Sequence, residues 1–407
     1  MTKRKIINDP VHGFISIDNS LFLSLIEHRY FQRLRRIKQL GLTNIVFPGA
    51  SHTRFEHALG AFHLTRLALN TLIQKGVDIS EEEAESTLIA ILLHDIGHGP
   101  FSHVLEDSIV FGVSHEVLSL EIIKRLNAEF DGQLDMALEI FEGKYSKGFL
   151  HQLVSSQLDM DRLDYLTRDT FYTGVSEGVV GADRIIKMLD VRDDMLVVEE
   201  KGIYSIEKFL IARRLMYWQV YLHKTVLSAE MMLIKTMRRA RELIGLGNDI
   251  FTTPTLRPFL SERIEHRGIV SDSGVLDYFL DMDDCDIHTC LKYWSKDKDT
   301  ILASLSGGLH NRKLFKIEIS NERIDPQHII SQRNRVDALF PECKNASQHL
   351  VVCDSISNLA YHSGHDNIRI LGKNNNVLPI DEMSDINIYG LHTMVEKHFL
   401  CYPKIEK

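Results

Sequence analysis

Residues Leu92 to His103 read Leu-Leu-His-Asp-Ile-Gly-His-Gly-Pro-Phe-Ser-His. An apolar run, Leu88 to Leu93, leads directly into the adjacent imidazole and carboxylate of His94 and Asp95. His98 and His103 follow, and Gly97, Gly99 and Pro100 break the helix among them. Titratable groups at the end of an apolar helix need partners when buried. A first-row divalent cation is one partner that accepts both neutral imidazole and carboxylate. The alternative is a histidine-rich helix end, capped by glycine, with its rings in solvent. His57, His115 and Asp161 add further ligand types within the same half of the chain. On an ideal helix His94 and Asp95 point roughly 100° apart, so they share an ion only across the helix end. His57 and Asp161 would complete a two-His, two-Asp set with positions left for water, as a catalytic ion requires. Such an ion lowers the pKa of its water and neutralises phosphoryl oxygens.

The neighbouring residues suit an anionic substrate. Arg54 precedes His57 by one helical turn, Arg162 follows Asp161, and Tyr165 and Asp169 lie further along the same helix. Arginine donates bidentately to phosphate. Each arginine taken singly fits a surface salt bridge; their interleaving with the ligand set is what points to an anion.

The elements that must carry these groups are mostly helices. Asn8 to Gly13 reads as a turn before a strand, Phe14–Ile17, and Leu21–Leu40 as a helix stopped by Gly41. Arg29, Gln32, Arg33, Arg35, Arg36 and Lys38 form its polar side, either a solvated basic face or an anion site. A helix from Arg54 to about Gln74 carries His57, and Ser80 caps a helix from Glu82 to about Asp95. Ser114-His115-Glu116 starts another helix, and His151 begins one that runs through Asp169. Met195–Glu199 and Gly202–Tyr204 suggest a hairpin, followed by a long helix from Ile206 to about Ile244. Shorter helices reach about residue 305, and strand-like runs lie at Leu314–Ile319, His349–Val352 and Ile368–Leu371. The reading is mainly α, with a helical domain over residues 1–245 and a helical extension with a small α+β region over 246–407.

The chain of 407 residues is 44% hydrophobic and 25% charged, as an ordinary globular protein is. Its net charge of −9 disfavours bulk binding to nucleic acid, which wants a basic face. Cys285, Cys290, Cys343, Cys353 and Cys401 are odd in number and never spaced CxxC, which fits reduced thiols. No signal peptide or membrane span is visible, so a cytoplasmic protein is expected.

The series Arg54-Phe55-Glu56-His57, His94-Asp95 and Asp161 resembles the H…HD…D signature of the HD-domain phosphohydrolases. Longer strings narrow the resemblance: Ile7–Gly13, Phe31–Gly41, Phe47–His57, His94–His103 and Asp159–Asp169. Together they are similar to the SAM-and-HD-type deoxynucleoside triphosphate (dNTP) triphosphohydrolases, densely over residues 5–235 and faintly beyond, with the HD core and no SAM domain. The resemblance implies a helical HD core and release of deoxynucleoside and intact triphosphate. It also implies His57, His94, Asp95 and Asp161 as ligands of a divalent metal, with Mn, Fe, Mg, Ni and Zn not distinguished. His98, His103 and His115 would contact phosphates, with His103 or His115 as proton donor and Glu106 orienting the imidazole. Gln39, Leu40, Arg54, Arg162, Tyr165, Asp169, Arg213 and Tyr221 match substrate contacts. Leu222 replaces a glutamine found in relatives, so contacts to the base edge would differ.

The resemblance further implies a homo-oligomer, dimer or tetramer, and a nucleotide activator between subunits. Glu27, Gln32, Arg35, Arg184, Lys201, His223 and Lys224 match that allosteric site. Glu27 is one methylene longer than the usual aspartate, and Glu199 replaces an arginine, so weaker or altered activation is expected. Two other readings are an HD-family phosphodiesterase or nuclease, acting on cyclic dinucleotide or single-stranded nucleic acid, and a non-enzymatic nucleotide-sensing scaffold.

Overall fold

The chain begins with a hairpin whose turn is closed by a carboxylate. The structure, a computed structural model, describes residues 5–271, 273–358, 361, 367–386, 390 and 393–404. Strands β1 (Lys5–Asp9) and β2 (Gly13–Ile17) pair antiparallel with Ile7 opposite Ile15. Asp9 Oδ1 accepts from the N–H groups of Val11 and His12 at 2.9 and 2.8 Å. The expected turn and strand are present, and a second strand, Lys5–Asp9, precedes the turn.

The helix expected over Leu21–Leu40 is divided into α1 (Ser20–Glu27), α2 (Arg29–Gln32) and a 3-10 turn, Arg33–Arg36. His28 causes the break, because its backbone is extended and its Nδ1 accepts from the Tyr30 N–H at 3.3 Å, capping α2. Nor is Arg33 part of a solvated face. It is fully buried and donates to the carbonyls of Met282, Ile96 and His98 at 2.9, 3.4 and 2.7 Å.

Helices α3 (Arg54–Gln74) and α4 (Glu81–Leu93) follow the expected spans. Glu56 Oε2 accepts from the Thr53 N–H at 2.6 Å, and Ser80 and Glu83 cap each other at 3.1 and 2.8 Å, which fixes both first turns. Next come α5 (Glu106–Ile109), α6 (His115–Glu129), α7 (Asp135–Phe141), α8 (Gly148–Val154) and α9 (Met160–Thr173). The helix expected from His151 through Asp169 is thus two. Asp159 divides it by accepting from the N–H groups of Ser156 and Arg162 at 2.8 and 2.7 Å, the second bond capping α9.

After α10 (Ala182–Met188), strands β3 (Leu189–Arg192) and β4 (Met195–Glu199) form a hairpin one strand earlier than expected. Asp193 and Asp194, at φ 50° and 59°, make the tight turn that matches strand twist, while Gly202–Tyr204 leads into α11 (Ile203–Met216). The long helix expected over 206–244 breaks after Met216 into a π turn, Tyr217–Tyr221, closed by the Leu222 N–H on the Tyr217 carbonyl at 2.7 Å. His223 is extended and caps α12 (Lys224–Gly245) through its Nδ1, which accepts from the Thr225 N–H at 3.2 Å.

The C-terminal part holds α13 (Arg257–Ser261), α14 (His266–Ser271), α15 (Ser273–Asp281), α16 (Asp284–Trp294) and α17 (Thr300–His310). Then follow β5 (Lys316–Ser320), α18 (Pro326–Leu339), α19 (Ala346–Leu350), β6 (Val352–Asn358), β7 (Arg369–Leu371), β8 (Val377–Pro379), α20 (Ile380–Met383) and β9 (Val395–Tyr402). His349 and Leu350 therefore end a helix, and their strand starts at Val352. One sheet has the order β5-β9-β6; in the other, β7 joins β4 in parallel, Ile370 opposite Val198. The fold is mainly α with a smaller α+β region, and among the described residues no helix is long and apolar enough to cross a membrane.

Candidate metal centre and adjoining cavity

Helix α4 is apolar because it is interior: Leu88 to Leu93 are all buried, and the helix ends where His94 and Asp95 emerge beside α3 and α9. His57 from α3 and Asp161 from the first turn of α9 meet them there. His57 Nε2 stands 3.0 Å from Asp161 Oδ1, 3.3 Å from His94 Nε2 and 3.6 Å from Asp95 Oδ2. His94 Nε2 lies 3.4 Å from Asp95 Oδ1 and 3.5 Å from Asp161 Oδ1. Donors held about 2.1 Å from one ion at right angles stand about 3 Å apart, so the four groups have the spacing of a cation's shell.

Both imidazoles are turned so that Nε2 faces the group. His57 Nδ1 is bonded to Asp164 Oδ2 at 2.8 Å, and His94 Nδ1 to the Ile91 carbonyl at 2.6 Å. Such outer partners fix the ring and the tautomer of a metal ligand. Electrostatics agree. Burial opposes charge on His57, yet bonds to Asp161 and Asp164 outweigh it and raise its pKa to about 10. Burial likewise opposes charge on Asp161, which bonds to His57 and His94 nevertheless hold far below the usual carboxylate range. A pocket that draws positive charge this strongly fits a divalent cation, and His57, His94, Asp95 and Asp161 are the residues that would hold it.

A second histidine group lies beside the first. His98 and His115 stack at 3.9 Å between ring centroids, and His103 packs edge-on at 5.0 Å from each. Gly97 makes this possible, because a Cβ there would stand 2.3 Å from the Ser119 nitrogen and 2.4 Å from the His115 carbonyl. Glu106 bonds both outer rings at Nδ1, His103 at 3.2 Å and His115 at 2.9 Å, and accepts from the His115 N–H at 2.6 Å. His98 Nε2 stands 3.3 Å from Asp95 Oδ1, linking the two groups. Burial and then the Arg54 charge depress the His98 pKa well below 6.5, so this ring is neutral.

A cavity of about 600 Å³ opens from these groups. Asp95, Asp161, His98, His103, His115, Arg54 and Arg162 form part of its wall; Gln39, Leu40, Tyr165, Asp169, Tyr217, Tyr221 and Leu222 form another. The Arg54 side chain is fixed by Asp95 and, through Nε, by Ser102 Oγ at 2.8 Å. Arg162 pairs with Asp159 at 3.2 Å and donates to the Ser156 carbonyl. Asp169 ties His52 at 2.8 Å and Tyr221 at 2.7 Å. Arg213 is not in the cavity wall. It is buried, donates to Gln157 Oε1 at 3.4 Å, and leaves its Nε without a partner among the described residues.

The residues matched to an allosteric site fall into three local groups. Glu27 pairs with Lys5 at 2.9 Å, while Arg35 donates to Gln32 at 2.9 Å and lies over the Phe55 ring. Arg184 donates to the Lys201 carbonyl at 3.0 Å, and Lys201 is 3.8 Å from Glu199. His223 and Lys224 begin α12.

Sequence reasoning missed the layer behind the ligands. Asp164 bonds His57 and His12, Arg168 bridges Asp164 and Asp9, and Arg33 props the His98 carbonyl. The signal was available in the Asp-Pro-Val-His string and in the three-residue step from Asp161 to Asp164. Asp284, which accepts from the N–H groups of Lys38 and Phe101 at 2.9 Å each, had none, since it comes from the distant α16.

Comparison with known proteins bears on the same residues. Residues 54–169 match the HD domain, and residues 180–249 match the HD associated region. The uncharacterized protein YwfO of Bacillus subtilis is 33% identical over 99% of this chain and 93% of its own length. A crystal structure of a phosphohydrolase from Bacteroides thetaiotaomicron superposes with a TM-score of 0.96 at 52% identity, over 99% of this chain and 100% of that one. The deoxynucleoside triphosphate triphosphohydrolase SAMHD1 homolog of Dictyostelium discoideum is 32% identical over 60% of this chain, which spans 51% of that protein's length.

Proposed function

The chain belongs to the HD-domain phosphohydrolase superfamily, and from that footing we propose that it is a metal-dependent dNTP triphosphohydrolase. The observation that carries the reading is the single cavity, with cation-binding and cationic groups on one wall and tyrosines on another. That combination accommodates a triphosphate joined to a sugar and a base. The similarity to the Dictyostelium triphosphohydrolase supports it.

In this reading His57, His94, Asp95 and Asp161 would hold a divalent cation, which would polarise the phosphoryl oxygens and lower the pKa of a water. Arg54 and Arg162 bind and orient the triphosphate through preorganised charge. Water forms a bond to the α-phosphorus as the bond to the 5′-oxygen breaks; that oxygen takes a proton from His115 or His103, and the proton the water sheds passes to solvent, from which the histidine is reprotonated. Glu106, bonded to both Nδ1 atoms, would hold these rings with Nε2 available for the transfer. Tyr165 would pack under the sugar, against the site of a ribose 2′-hydroxyl. The chain would work as a homo-oligomer, with the groups around Arg35, Arg184 and His223 as the activator contacts. The phosphodiesterase or nuclease reading shares the metal centre and differs only in substrate.

Incubating the protein with Mn²⁺ and each dNTP, then separating products by chromatography, tests this. Deoxynucleoside and triphosphate are expected. Nucleoside monophosphate with pyrophosphate, or cleavage only of a nucleic acid or cyclic dinucleotide, would overturn it.

A further inference from the structure

Helix α12 presents Leu227, Glu230, Met231 and Ile234 to the cavity, the i, i+3, i+4, i+7 spacing of one helix face. Three of the four are apolar. Glu230 is the exception, and its carboxyl has no hydrogen bond or ion pair among the described residues, whereas Asp95, Asp161, Asp169 and Glu106 in or beside the same cavity are all bonded. The arginines and the metal-binding set belong to the wall formed by α3, the end of α4 and the start of α9. The stretch around Glu230 is made instead by α12 and the π turn, with Tyr217, Tyr221 and Leu222 beside it, and Ile356 comes from β6. A triphosphate held at the cationic wall leaves this apolar and aromatic stretch for the base.

We propose that Glu230 is the base-reading residue of the cavity and that it selects guanine, by accepting the N1–H and the N2–H of that base on its two oxygens. The inference rests on the dNTP reading above and adds the identity of the preferred base. Guanine alone among the four bases offers two adjacent N–H donors on its pairing edge. Adenine and cytosine offer one donor beside a ring-nitrogen acceptor, and thymine one donor between two carbonyls, so each sets a lone pair against a carboxylate. Glu230 is half-buried on the cavity wall, and an acceptor there that only one base can pair discriminates because every other base displaces its water without replacing the bond. Burial pushes the Glu230 carboxyl up to about 7, and accepting two N–H donors favours its ionised form, which is the form that reads guanine. Leu222, on the same wall, has no polar atom to share the task.

The test compares wild type with E230Q and E230D, using Mn²⁺-loaded protein. Hydrolysis of dGTP and dATP is followed by product chromatography, their binding by calorimetry with Ca²⁺ in place of Mn²⁺, and the Tm of each variant is checked. Wild type is expected to favour dGTP. In E230Q the ratio of kcat/KM for dGTP over dATP falls roughly tenfold or more, the size of a lost bidentate base contact, and E230D keeps part of the preference. An unchanged ratio in a folded E230Q, or no preference for dGTP in wild type, would overturn the assignment. If neither nucleotide is hydrolysed but dGTP binds more tightly and loses that advantage in E230Q, the triphosphohydrolase reading fails while the base-reading role stands. Failure of both nucleotides to bind overturns both.

Discussion

Asp164 stands 2.8 Å from the Nδ1 atom of His57, and both side chains are fully buried. The same carboxylate bonds His12 at 2.6 Å and Arg168 at 2.9 and 3.0 Å, so one residue of α9 gathers the N-terminal hairpin, α3 and its own helix around a proposed metal ligand. Its charge aims His57 Nε2 and raises the basicity of the ring. In D164N the charge is lost, and whichever oxygen becomes the amide NH₂ faces an Arg168 N–H donor. Mn²⁺ affinity, measured by calorimetry, is expected to fall about 10- to 100-fold, with one cation still bound per chain at saturation.

Gly60 is the reason Asp164 can come so close. A Cβ on Gly60 would stand 1.9 Å from Asp164 Oδ1 and 2.2 Å from Arg168 Nη2, inside the buried pair. Alanine favours a helix interior by propensity, so a gain in stability would be expected on local grounds alone. The clash decides the sign. G60A should unfold more easily by about 1–3 kcal/mol, the usual cost of overpacking, in chemical denaturation, and should also lose cation affinity because α9 is displaced. A more stable G60A protein would show that α9 yields without cost.

Glu106 offers a separate handle on proton transfer. Bonds from His103 and His115 outweigh the cost of its burial and keep it ionised far below the usual carboxylate range. General acids contribute about 10²- to 10⁴-fold to rate, and Glu106 acts through such a group. E106Q is therefore expected to lower kcat about 10- to 100-fold with a smaller change in KM, and E106D to recover most of the loss. A change in KM alone would place Glu106 in binding.

Much of the candidate metal centre was legible because its residues carry their own signal. His94 and Asp95 interrupt an apolar run, and His57 lies on a helix whose cap, at Thr53, is written locally; the Asp159 cap ahead of Asp161 was passed over, so two helices read as one. Two of the breaks that were misread share a physical cause. His28 and His223 each cap a helix with an imidazole nitrogen, a role without a strong sequence preference, so continuous apolar spacing concealed two breaks. The π turn at Tyr217–Tyr221 is likewise invisible to a 3.6-residue period, though it lines the cavity with two tyrosines. Arg33 read as part of a polar face, either solvated or anion-binding, because its partners, three backbone carbonyls, are supplied from distant segments.

The C-terminal sheet has a pH signature of its own. Glu318 on β5 bonds Lys316 at 2.7 Å, Tyr402 at 2.5 Å and His328 at 2.8 Å. Burial raises its pKa, but those bonds prevail and lower it from 4.5 to about 2. A depressed carboxylate adds stability that is fully present above pH 4.5 and is lost as pH falls toward 2. Wild type should therefore lose Tm across that window more steeply than E318Q. Parallel curves would show that Glu318 has no such linkage.

Asp284 connects the C-terminal extension to the cavity. As the first residue of α16 it receives the Lys38 N–H on one oxygen and the Phe101 N–H on the other, both at 2.9 Å. Phe101 and Ser102 hold φ of 56° and 52°, a left-handed pair that costs about 1–3 kcal/mol per residue when unsupported. Ser102 in turn fixes Arg54, whose guanidinium borders the cation group. In D284N one of the two acceptors becomes an amide NH₂ facing an N–H donor, so one loop is released. If Lys38 is released, Gln39 and Leu40 move. If Phe101 is released, Ser102 and Arg54 move. Either way nucleotide KM is expected to rise about tenfold, the effect of losing one hydrogen bond to a charged group, while Mn²⁺ affinity falls by less, because none of the four proposed ligands touches Asp284 and only Asp95 is reached, through Arg54. Equal loss of Mn²⁺ affinity would show instead that the substitution unfolds the metal centre as a whole.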